Sequence, residues 1–255
     1  MSNSILDLIQ RHGSARQYRS DPVSSETIEA IVAAAQRTSS SSNLQAYCVV
    51  AVTDTAQRAR LAELCGKQEH ITQAPVFLAW CADLARLDRA CELRGYVQVT
   101  EYVENFLVAA VDAAIAAQTA ALAAESLGLG ICYIGSIRNN TQAVIDLLAL
   151  PRLVFPITGI TVGWPAAQPP SRPRLPLQGV LHWGHYDRTS EDETLRTYDQ
   201  SMIATGIYQG RQVPVPGKPG EMEGYGWTEH SARRVAQAVR TDLRQVLQRQ
   251  GFALK

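Results

Sequence analysis

Four short apolar runs punctuate the first 165 residues of the chain, and helical patterns separate nearly all of them. Each run is rich in β-branched or aromatic residues and is bounded by turn-forming residues, which is typical of buried strands. The predicted strands cover residues 46–53, 75–83, 130–136 and 156–165. We therefore expect a layered protein in which helices pack on a sheet.

Apolar residues at helical spacing predict several amphipathic helices around these strands. They cover residues 5–12, 26–36, 56–65 and 141–148, with a last helix at residues 229–250. Ser24 or Ser25 is placed to cap the second of them, because a serine hydroxyl accepts a hydrogen bond from the first turn. A long helix begins between residues 99 and 102 and ends at Gly128, where glycine suits a left-handed cap.

The most apolar part of the long helix, residues 106–124, has nearly the length of a membrane span. Asp112, Gln118 and Thr119 interrupt it, and alanine dominates the rest. Alanine contributes little to membrane insertion but lets helices pack closely, so we predict a buried central helix rather than a transmembrane one. Asp112 is then expected to be a satisfied buried carboxylate or an interface contact, not an acid catalyst.

Charge and cysteine content narrow the possible partners and the compartment. Lysine and arginine equal aspartate and glutamate, 24 of each, so no overall field draws the chain to nucleic acid or anionic lipid. The five cysteines are odd in number and none is spaced as CxxC, which favours reduced thiols over a disulfide frame or a zinc site. Because the first twenty residues do not resemble a signal peptide, we expect a cytoplasmic protein.

The character of the chain changes after residue 165. Residues 165–176 are proline-rich and cationic, and residues 205–227, with six glycines and three prolines, are predicted to be a loop. No internal repeat or second core is evident, so we expect a single domain with a core at about residues 5–188 and an extension at 189–255. His182 and His185 are three residues apart, but Gly184 disfavours a helix there and no third ligand stands out, so no metal site is predicted.

Two segments could hold an anion. His12-Gly13-Ser14-Ala15-Arg16 places two potential cations and a hydroxyl within one turn of chain, and Gly13 would let a ligand approach the backbone. Arg172-Pro173-Arg174 places two arginines on a proline-stiffened segment, where they could contact a phosphate together. Solvated surface charge is the alternative for both segments.

Two other segments could hold an uncharged part of a ligand. The run from Ser39 to Ser42 lies between a predicted helix and a predicted strand and offers four hydroxyls, as a sugar or ribityl chain requires. A polar loop or a set of helix caps is equally compatible with it. Tyr133-Ile134-Gly135-Ser136 ends a predicted core strand, and backbone amides beside glycine can face a flat ring. This segment is not a Rossmann fingerprint, since its glycine spacing and helix-then-strand order are both wrong.

Arginines for a phosphate, hydroxyls for a ribityl chain and a glycine for a ring together suit flavin mononucleotide (FMN). The order of HGSAR, TSSSSNLQAY, GKQEHITQAPVFLAWCAD, AAESLGLGICYIGSIRNN and RPRLP resembles the nitroreductase superfamily. The most similar group is that of the oxygen-insensitive NADPH nitroreductases and NADPH–flavin oxidoreductases. The similarity covers residues 5–188, is most specific at residues 123–140 and is looser in the last seventy residues.

The resemblance implies an α+β fold with a mixed, mainly antiparallel sheet wrapped by helices. It also implies an obligate homodimer with two FMN sites at the subunit interface, where the long helix would be buried. The cofactor-binding residues carried over by position are His12, Ser14, Arg16, Ser40, Ser42, Gln68, Ile134, Gly135, Ser136, Arg172 and Arg174. Gly13 and Tyr133 are added as cofactor-binding candidates from the two segments in which they lie. The chain departs from the family pattern where arginine is usual at Gly13, lysine is frequent at Arg172 and a second glycine is frequent at Ser136.

The same resemblance implies an FMN-dependent enzyme that moves hydride from NADPH to nitroaromatics, quinones or similar small electrophiles by ping-pong exchange. Arg16 is the expected catalytic residue, because its charge would stabilise the negative charge that develops on the ring. Arg211, in the glycine-rich loop, and Arg240, by its match to a family arginine, are candidates for binding NADPH. A flavin reductase that releases reduced FMN, or a non-catalytic flavin-binding protein, stays open.

Overall fold

A computed structural model describes residues 4–215 and 217–255 of the chain. The α-helices of the described chain are α1 (Ser4–Gln10), α2 (Ser25–Ala35), α3 (Thr55–Leu64), α4 (Glu69–Gln73), α5 (Ala85–Arg94), α6 (Val103–Ser126), α7 (Thr141–Leu147), α8 (Glu191–Ala204), α9 (Trp227–Val235) and α10 (Leu243–Arg249). The strands are β1 (Tyr47–Val52), β2 (Val76–Asp83), β3 (Gly130–Ile134), β4 (Val154–Gly163), β5 (Gln212–Pro214) and β6 (Met222–Gly224).

The four strands predicted from the sequence form one sheet in the order β1-β2-β4-β3, and each neighbouring pair is antiparallel. All eight residues of β2 are buried, which explains its continuous apolar sequence. Ser14 adds a parallel bridge to Ile131 in β3, so the sheet is mixed but mainly antiparallel. The predicted α+β fold class is confirmed.

Helix α6 lies against one face of this sheet through its small residues. Ala113, Ala117 and Ala124 are buried in a cluster that includes Trp80 of β2 and Ile131 of β3. Alanine lets the helix axis approach the strands closely, as the sequence predicted. By length and composition α6 could cross a membrane, but a core helix passes the same test, and 39% of its most apolar window is buried in the fold.

The burial of α6 in the single chain is one-sided, because its alanine-rich face packs on the sheet and the opposite face is exposed. Val103, Leu107, Val111 and Ile115 follow one another at intervals of four residues and are all exposed. We call these four residues the α6 stripe. Such a row of large apolar side chains is unusual on a free surface and is typical of a contact region.

The other face of the sheet is covered by a second core that includes the end of the chain. Phe106, Phe155 and Phe252 meet edge to face there, with ring centroids 5.4 to 6.5 Å apart. The C-terminal α10 contributes Val246 and Leu247 to the same core. The last residues of the sequence are therefore structural parts of the sheet-bearing unit.

The chain divides into two compact units, Met1–Pro170 with Arg240–Lys255, and Ser171–Val239. The boundary falls inside the proline-rich segment where the sequence changes character. The second unit has its own small aromatic core, which contains Tyr198, Met202 and Tyr208. The single-domain description of the whole chain stays a prediction.

The structure corrects several predicted elements. The predicted last helix is two helices, α9 and α10, separated by a segment in which Arg240 adopts a left-handed conformation with φ of 54°. The predicted loop at residues 205–227 contains a hairpin of β5 and β6, apart from residue 216, which lies outside the described residues. The long helix begins only at Val103, and α4, α5 and α8 were not predicted.

Candidate functional site

The His12–Arg16 segment lies beside β3, although more than a hundred residues separate them in sequence. The backbone of Ser14 bridges to Ile131, and the Ala15 amide donates to the Ile131 carbonyl at 2.8 Å. This pairing is an isolated bridge at the edge of the sheet, and Ala15 is buried beside it. It thereby brings the first predicted cationic segment to the strand whose end was predicted to face a ring.

Arg16 is the cation that this arrangement leaves available. Its side chain is exposed, and no residue in the described chain forms a hydrogen bond or ion pair with its guanidinium. Its charge nevertheless acts on two neighbours. Burial lowers the pKa of His70 and the nearby Arg16 lowers it further, whereas burial raises the pKa of Cys132 and Arg16 opposes that rise.

His12 and Gly13 are both engaged by other parts of the same unit. The Nδ1 atom of His12 lies 2.6 Å from a carboxylate oxygen of Glu125, in the last turn of α6. A Cβ atom at Gly13 would lie only 2.8 Å from the carbonyl oxygen of Pro169. The close approach predicted at Gly13 is thus made by Pro169, and the arginine usual in the family would not fit there without a shift.

Gln68 and Ser136 are joined at the end of β3. The side-chain amide of Gln68, just before α4, donates to the Cys65 carbonyl at 2.8 Å and to the hydroxyl of Ser136. Its carbonyl oxygen has no hydrogen-bond partner within residues 4–215 and 217–255 and stays available as an acceptor. Burial raises the pKa of the Cys65 thiol to about 12, although a hydrogen bond with Ser136 opposes this.

The strand end itself presents backbone rather than side chains. Ile134 is buried in the core, and Gly135 opens a turn of 3-10 helix, Gly135–Arg138. The Tyr133 hydroxyl donates to Gln118 of α6 at 3.1 Å. Burial raises the pKa of this phenol to about 12, with the Glu125 charge adding to the rise, so it stays protonated at neutral pH.

The two predicted serines differ in environment. Ser40 is partly buried and donates to Asp112 of α6 at 2.7 Å. Ser42 is exposed and adopts a left-handed conformation with φ of 48°. Asp112 is 1% exposed and accepts three hydrogen bonds, so the prediction that it is a satisfied buried carboxylate is confirmed.

Two residues that the sequence analysis did not single out also lie in this region. The Nε2 atom of His70 is buried without a hydrogen-bond partner in the described chain. Arg138 donates to the Ile157 carbonyl, and its pKa is lowered by burial and then by the positive charge of Arg240. A cation three residues after the strand-end glycine was a signal that could have identified Arg138.

Arg240 has a defined place in the sheet-bearing unit. Its Nε atom donates to the side-chain oxygen of Asn139 at 3.0 Å, which puts it next to the turn that follows β3. Neither Arg240 nor Arg138 has a carboxylate within 4.0 Å in the part of the chain that the structure describes. Two close guanidinium groups without a counterion form a suitable place for an anionic group.

The remaining predicted cations belong to the second unit. Arg174 folds back and donates to the carbonyls of Arg172 and Pro173, at 3.0 and 3.3 Å, so part of its guanidinium is used within its own segment. Arg211 lies over the ring of Tyr225, 5.6 Å from its centroid. In the described residues, none of the three arginines forms an ion pair.

The groups collected around β3 fit the polar parts of a flavin. Arg16 supplies a positive charge without an ion-pair partner in the described chain, Gln68 supplies a free acceptor, and the turn at Gly135 supplies backbone. Ser42 is not one of these groups, because it precedes β1 at the opposite edge of the sheet. No group of three His, Cys, Asp or Glu side chains able to hold a metal ion occurs among the described residues. All five cysteines are free thiols.

The fold is α+β, and the candidate ligand site lies at the end of β3, whose glycine pattern is not a Rossmann fingerprint. A family model for the nitroreductase family matches residues 9–164, and one for the C-terminal domain of that family matches residues 172–255. The chain therefore belongs to the nitroreductase family, and the resemblance seen in the sequence is confirmed.

Individual relatives agree along the full length of the chain. It is 37% identical to an FMN reductase [NAD(P)H] of Bacillus subtilis, over 99% of both chains. It is 36% identical to an oxygen-insensitive NADPH nitroreductase of Salmonella typhimurium, over 98% of both chains. The solved structure of an NADPH:FMN oxidoreductase from Vibrio harveyi, complexed with NAD+, has a TM-score of 0.86 at 31% identity, covering 99% of this chain and 100% of that one.

Proposed function

We propose that this enzyme moves hydride from NADPH to nitroaromatics, quinones or similar small electrophiles by ping-pong exchange on bound FMN, as a cytoplasmic homodimer. The relatives, which are named FMN reductases and NADPH nitroreductases, support the general reaction: reduction that uses a nicotinamide cofactor and FMN. The chain is an NAD(P)H-dependent FMN oxidoreductase of the nitroreductase type. The acceptor, the exchange mechanism, the compartment and the dimer are the proposed parts.

One structural observation supports the site more than any other. Arg16, a cation without an ion-pair partner in the described chain, lies on a segment that pairs with β3, and β3 ends in the backbone of Gly135 beside Gln68 and Ser136. A charge, an acceptor and backbone donors are thus gathered from three distant parts of the sequence. Such a set is suited to binding a planar, polar ring along one edge.

The residues of the chain have distinct proposed roles. Bound FMN would supply the two-electron chemistry. Arg16 would stabilise negative charge on the ring, the free oxygen of Gln68 would accept from a ring N–H group, and a backbone amide at Gly135 would donate to the ring. No side-chain acid or base is needed in this scheme, and His70, whose pKa is lowered, is neutral at pH 7.

The α6 stripe supports the dimer. Its four large apolar residues, Val103, Leu107, Val111 and Ile115, are each at least 40% exposed in the single chain. A second copy of the chain that covers them would remove this apolar surface from water. The proposed NADPH contact of Arg240 rests on the resemblance, and that of Arg211 on its place in the glycine-rich loop. The phosphate contacts of Arg172 and Arg174 rest on their spacing and the resemblance, and none of the four has an ion-pair partner in the described chain.

A flavin reductase is the second candidate, and Gly13 favours it. The family arginine is absent there and Pro169 fills the space, so one possible phosphate anchor is missing and FMN could leave after reduction. A protein that only stores flavin is the third possibility.

An anaerobic titration separates these functions. Purified protein should be yellow, lose its colour with NADPH, and regain it when a nitroaromatic or a quinone is added, while the flavin stays with protein on a desalting column. Reduced flavin in the small-molecule fraction would instead identify a flavin reductase. Colour that NADPH does not change would leave only a flavin-storage role.

A further inference from the structure

Asp112 is a buried charge whose hydrogen bonds all come from one loop. Its carboxylate accepts from the Ser40 hydroxyl at 2.7 Å and from the backbone amides of Ser41 and Ala46, each at 3.1 Å. No cation lies within 4.0 Å of it in the described residues. Since a buried carboxylate is costly unless its oxygens are bonded, the helix and the loop depend on each other here.

The loop that Asp112 holds is strained. We call residues 39–45 the serine loop, and three of its residues, Ser42, Asn43 and Gln45, have φ values of 48°, 55° and 51°. None is glycine, so each pays a steric cost for the left-handed conformation. Strain of this kind persists only where surrounding contacts impose it, and it is concentrated at functional sites.

The hydroxyl of Ser40 has its only donor committed to Asp112. It donates to Asp112 and accepts from the Gln45 amide at 2.7 Å, which links the anchor directly to a left-handed residue. The hydroxyl of Ser42, by contrast, is exposed and has no hydrogen-bond partner in residues 4–215 and 217–255. Of the two serines assigned to FMN by resemblance, only Ser42 therefore has a hydroxyl free to donate a hydrogen bond to a ligand.

A groove lies where the loop meets the helix. It has a volume of about 410 Å³ and is lined by Ser39, Ser40 and Ser41 on one side and by Asp112 and the α6 stripe residues Leu107, Val111 and Ile115 on the other. The anchored face of the loop thus borders a groove that is open in the single chain and adjoins the surface proposed to contact a second copy; Ser42 is not among its lining residues.

We propose that Asp112 is a positioning residue that acts through Ser40 to hold the serine loop in its left-handed conformation, so that Ser42 meets the flavin. Ser40 then contributes to flavin binding without touching the flavin. This inference rests on the proposed function, because it assumes that FMN is the ligand of the loop.

The test uses the full chain, with and without FMN, and two readouts. Hydrogen exchange of the Ser41 and Ala46 amides reports the anchor, and FMN fluorescence quenching gives the dissociation constant. Asp112→Asn should accelerate both amides and raise the dissociation constant, each by about tenfold, the effect expected from one charge-assisted hydrogen bond. Asp146→Asn, at an exposed carboxylate of α7, is the matched control and should change neither.

Three serine variants sharpen the test and keep it decisive if Asp112→Asn does not fold. Ser40→Ala should accelerate exchange of the Ser41 and Ala46 amides and raise the FMN dissociation constant. Ser40→Thr, which keeps the hydroxyl, should return both quantities to the values of the unaltered chain. Ser42→Ala should weaken FMN binding without accelerating the Ser41 and Ala46 amides. A general loss of stability would not produce this split between the two serines.

The outcomes separate the inference from the proposed function. Unchanged amide exchange in Asp112→Asn and Ser40→Ala would overturn the anchor. Faster exchange with an unchanged FMN dissociation constant would overturn the link between loop and flavin, although FMN binding itself would stand. If the unaltered chain bound no FMN at all, the proposed function would fail, and with it the positioning role.

Discussion

At the scale of single residues, charged side chains fall into two groups. Some are bound to a partner inside the chain and stabilise the fold, whereas others have no such partner among the described residues and can bind a ligand. Asp112 and Glu125, both on α6, are committed to Ser40 and His12. Arg16 has no committed partner in the described chain, although it lies in a segment whose backbone is fixed by β3. A fixed backbone with a free guanidinium is a suitable arrangement for stabilising a charge that appears only during the reaction.

Replacing Arg16 tests this directly. Arg16→Leu should lower the two-electron reduction potential of bound flavin by about 30 mV or more, because reduction would lose a charge interaction worth at least a tenfold change in the equilibrium. The potential is measured by anaerobic titration against reference dyes. Arg19→Leu is the control, since Arg19 already pairs with Asp21 at 3.2 Å. Equal potentials in Arg16→Leu and the unaltered protein would remove Arg16 from the chemistry.

At the scale of elements, one strand of the sheet requires a glycine because a neighbouring aromatic ring packs directly on its backbone. Gly159 lies in the centre of β4, opposite Ala79 of β2. A Cβ atom there would lie 2.3 Å from the ring of Phe77, which is fully buried and cannot move aside easily. The glycine is therefore a packing requirement of the sheet rather than a sign of flexibility.

A methyl group at this position should measurably destabilise the sheet. Gly159→Ala is expected to lower the free energy of unfolding in urea by about 1–3 kcal/mol, the usual cost of overpacking a core. Gly224→Ala in β6 provides the comparison, because a Cβ there meets nothing within 4 Å. If both variants unfolded at the same urea concentration as the parent, the Phe77 contact would not be limiting.

At the scale of the whole molecule, α6 is buried on one side only in the single chain, and the proposed dimer would cover its other side. The inner face of the helix is alanine-rich and fills the space against the sheet, whereas the α6 stripe of larger residues faces outward. An ordinary surface helix has polar residues on its outer face. The pattern fits a helix that packs on its own sheet and on a second chain.

A charge in the stripe should separate the two chains. Val111→Asp is expected to shift the protein from dimer to monomer in sedimentation velocity, because an unpaired carboxylate would be buried at the contact. Ala90→Asp introduces the same charge at an exposed position of α5 and should leave the dimer intact. A Val111→Asp protein that sediments as a dimer would exclude the stripe as the interface, and a monomeric parent would exclude the dimer.

Sequence by itself determined those features whose causes are local. The four sheet strands, a serine cap for α2 and the end of α6 just before Gly128 were all predictable, because periodicity, a capping hydroxyl and a left-handed glycine act within a few residues. The structure then selected Ser24 over Ser25 as the cap. Helix α5 escaped prediction for the same reason, since it buries no residue and therefore has no apolar face to produce a periodic pattern. The candidate segments came from the chemistry of their residues, and the resemblance to a family assigned individual residues such as Gln68; periodicity supplied none of them.

Only the tertiary structure decided which distant residues meet. Ser14 pairs with Ile131, Gln68 reaches Ser136, and Ser40 is held by Asp112, and nothing in the local sequence specifies these contacts. The amphipathic pattern of residues 229–250 continues through the break between α9 and α10. Arg240 takes its left-handed conformation there and bonds Asn139, a hundred residues away. Hydrophobic periodicity records which face of an element is buried, whereas the partner of each polar group is set by how the elements pack.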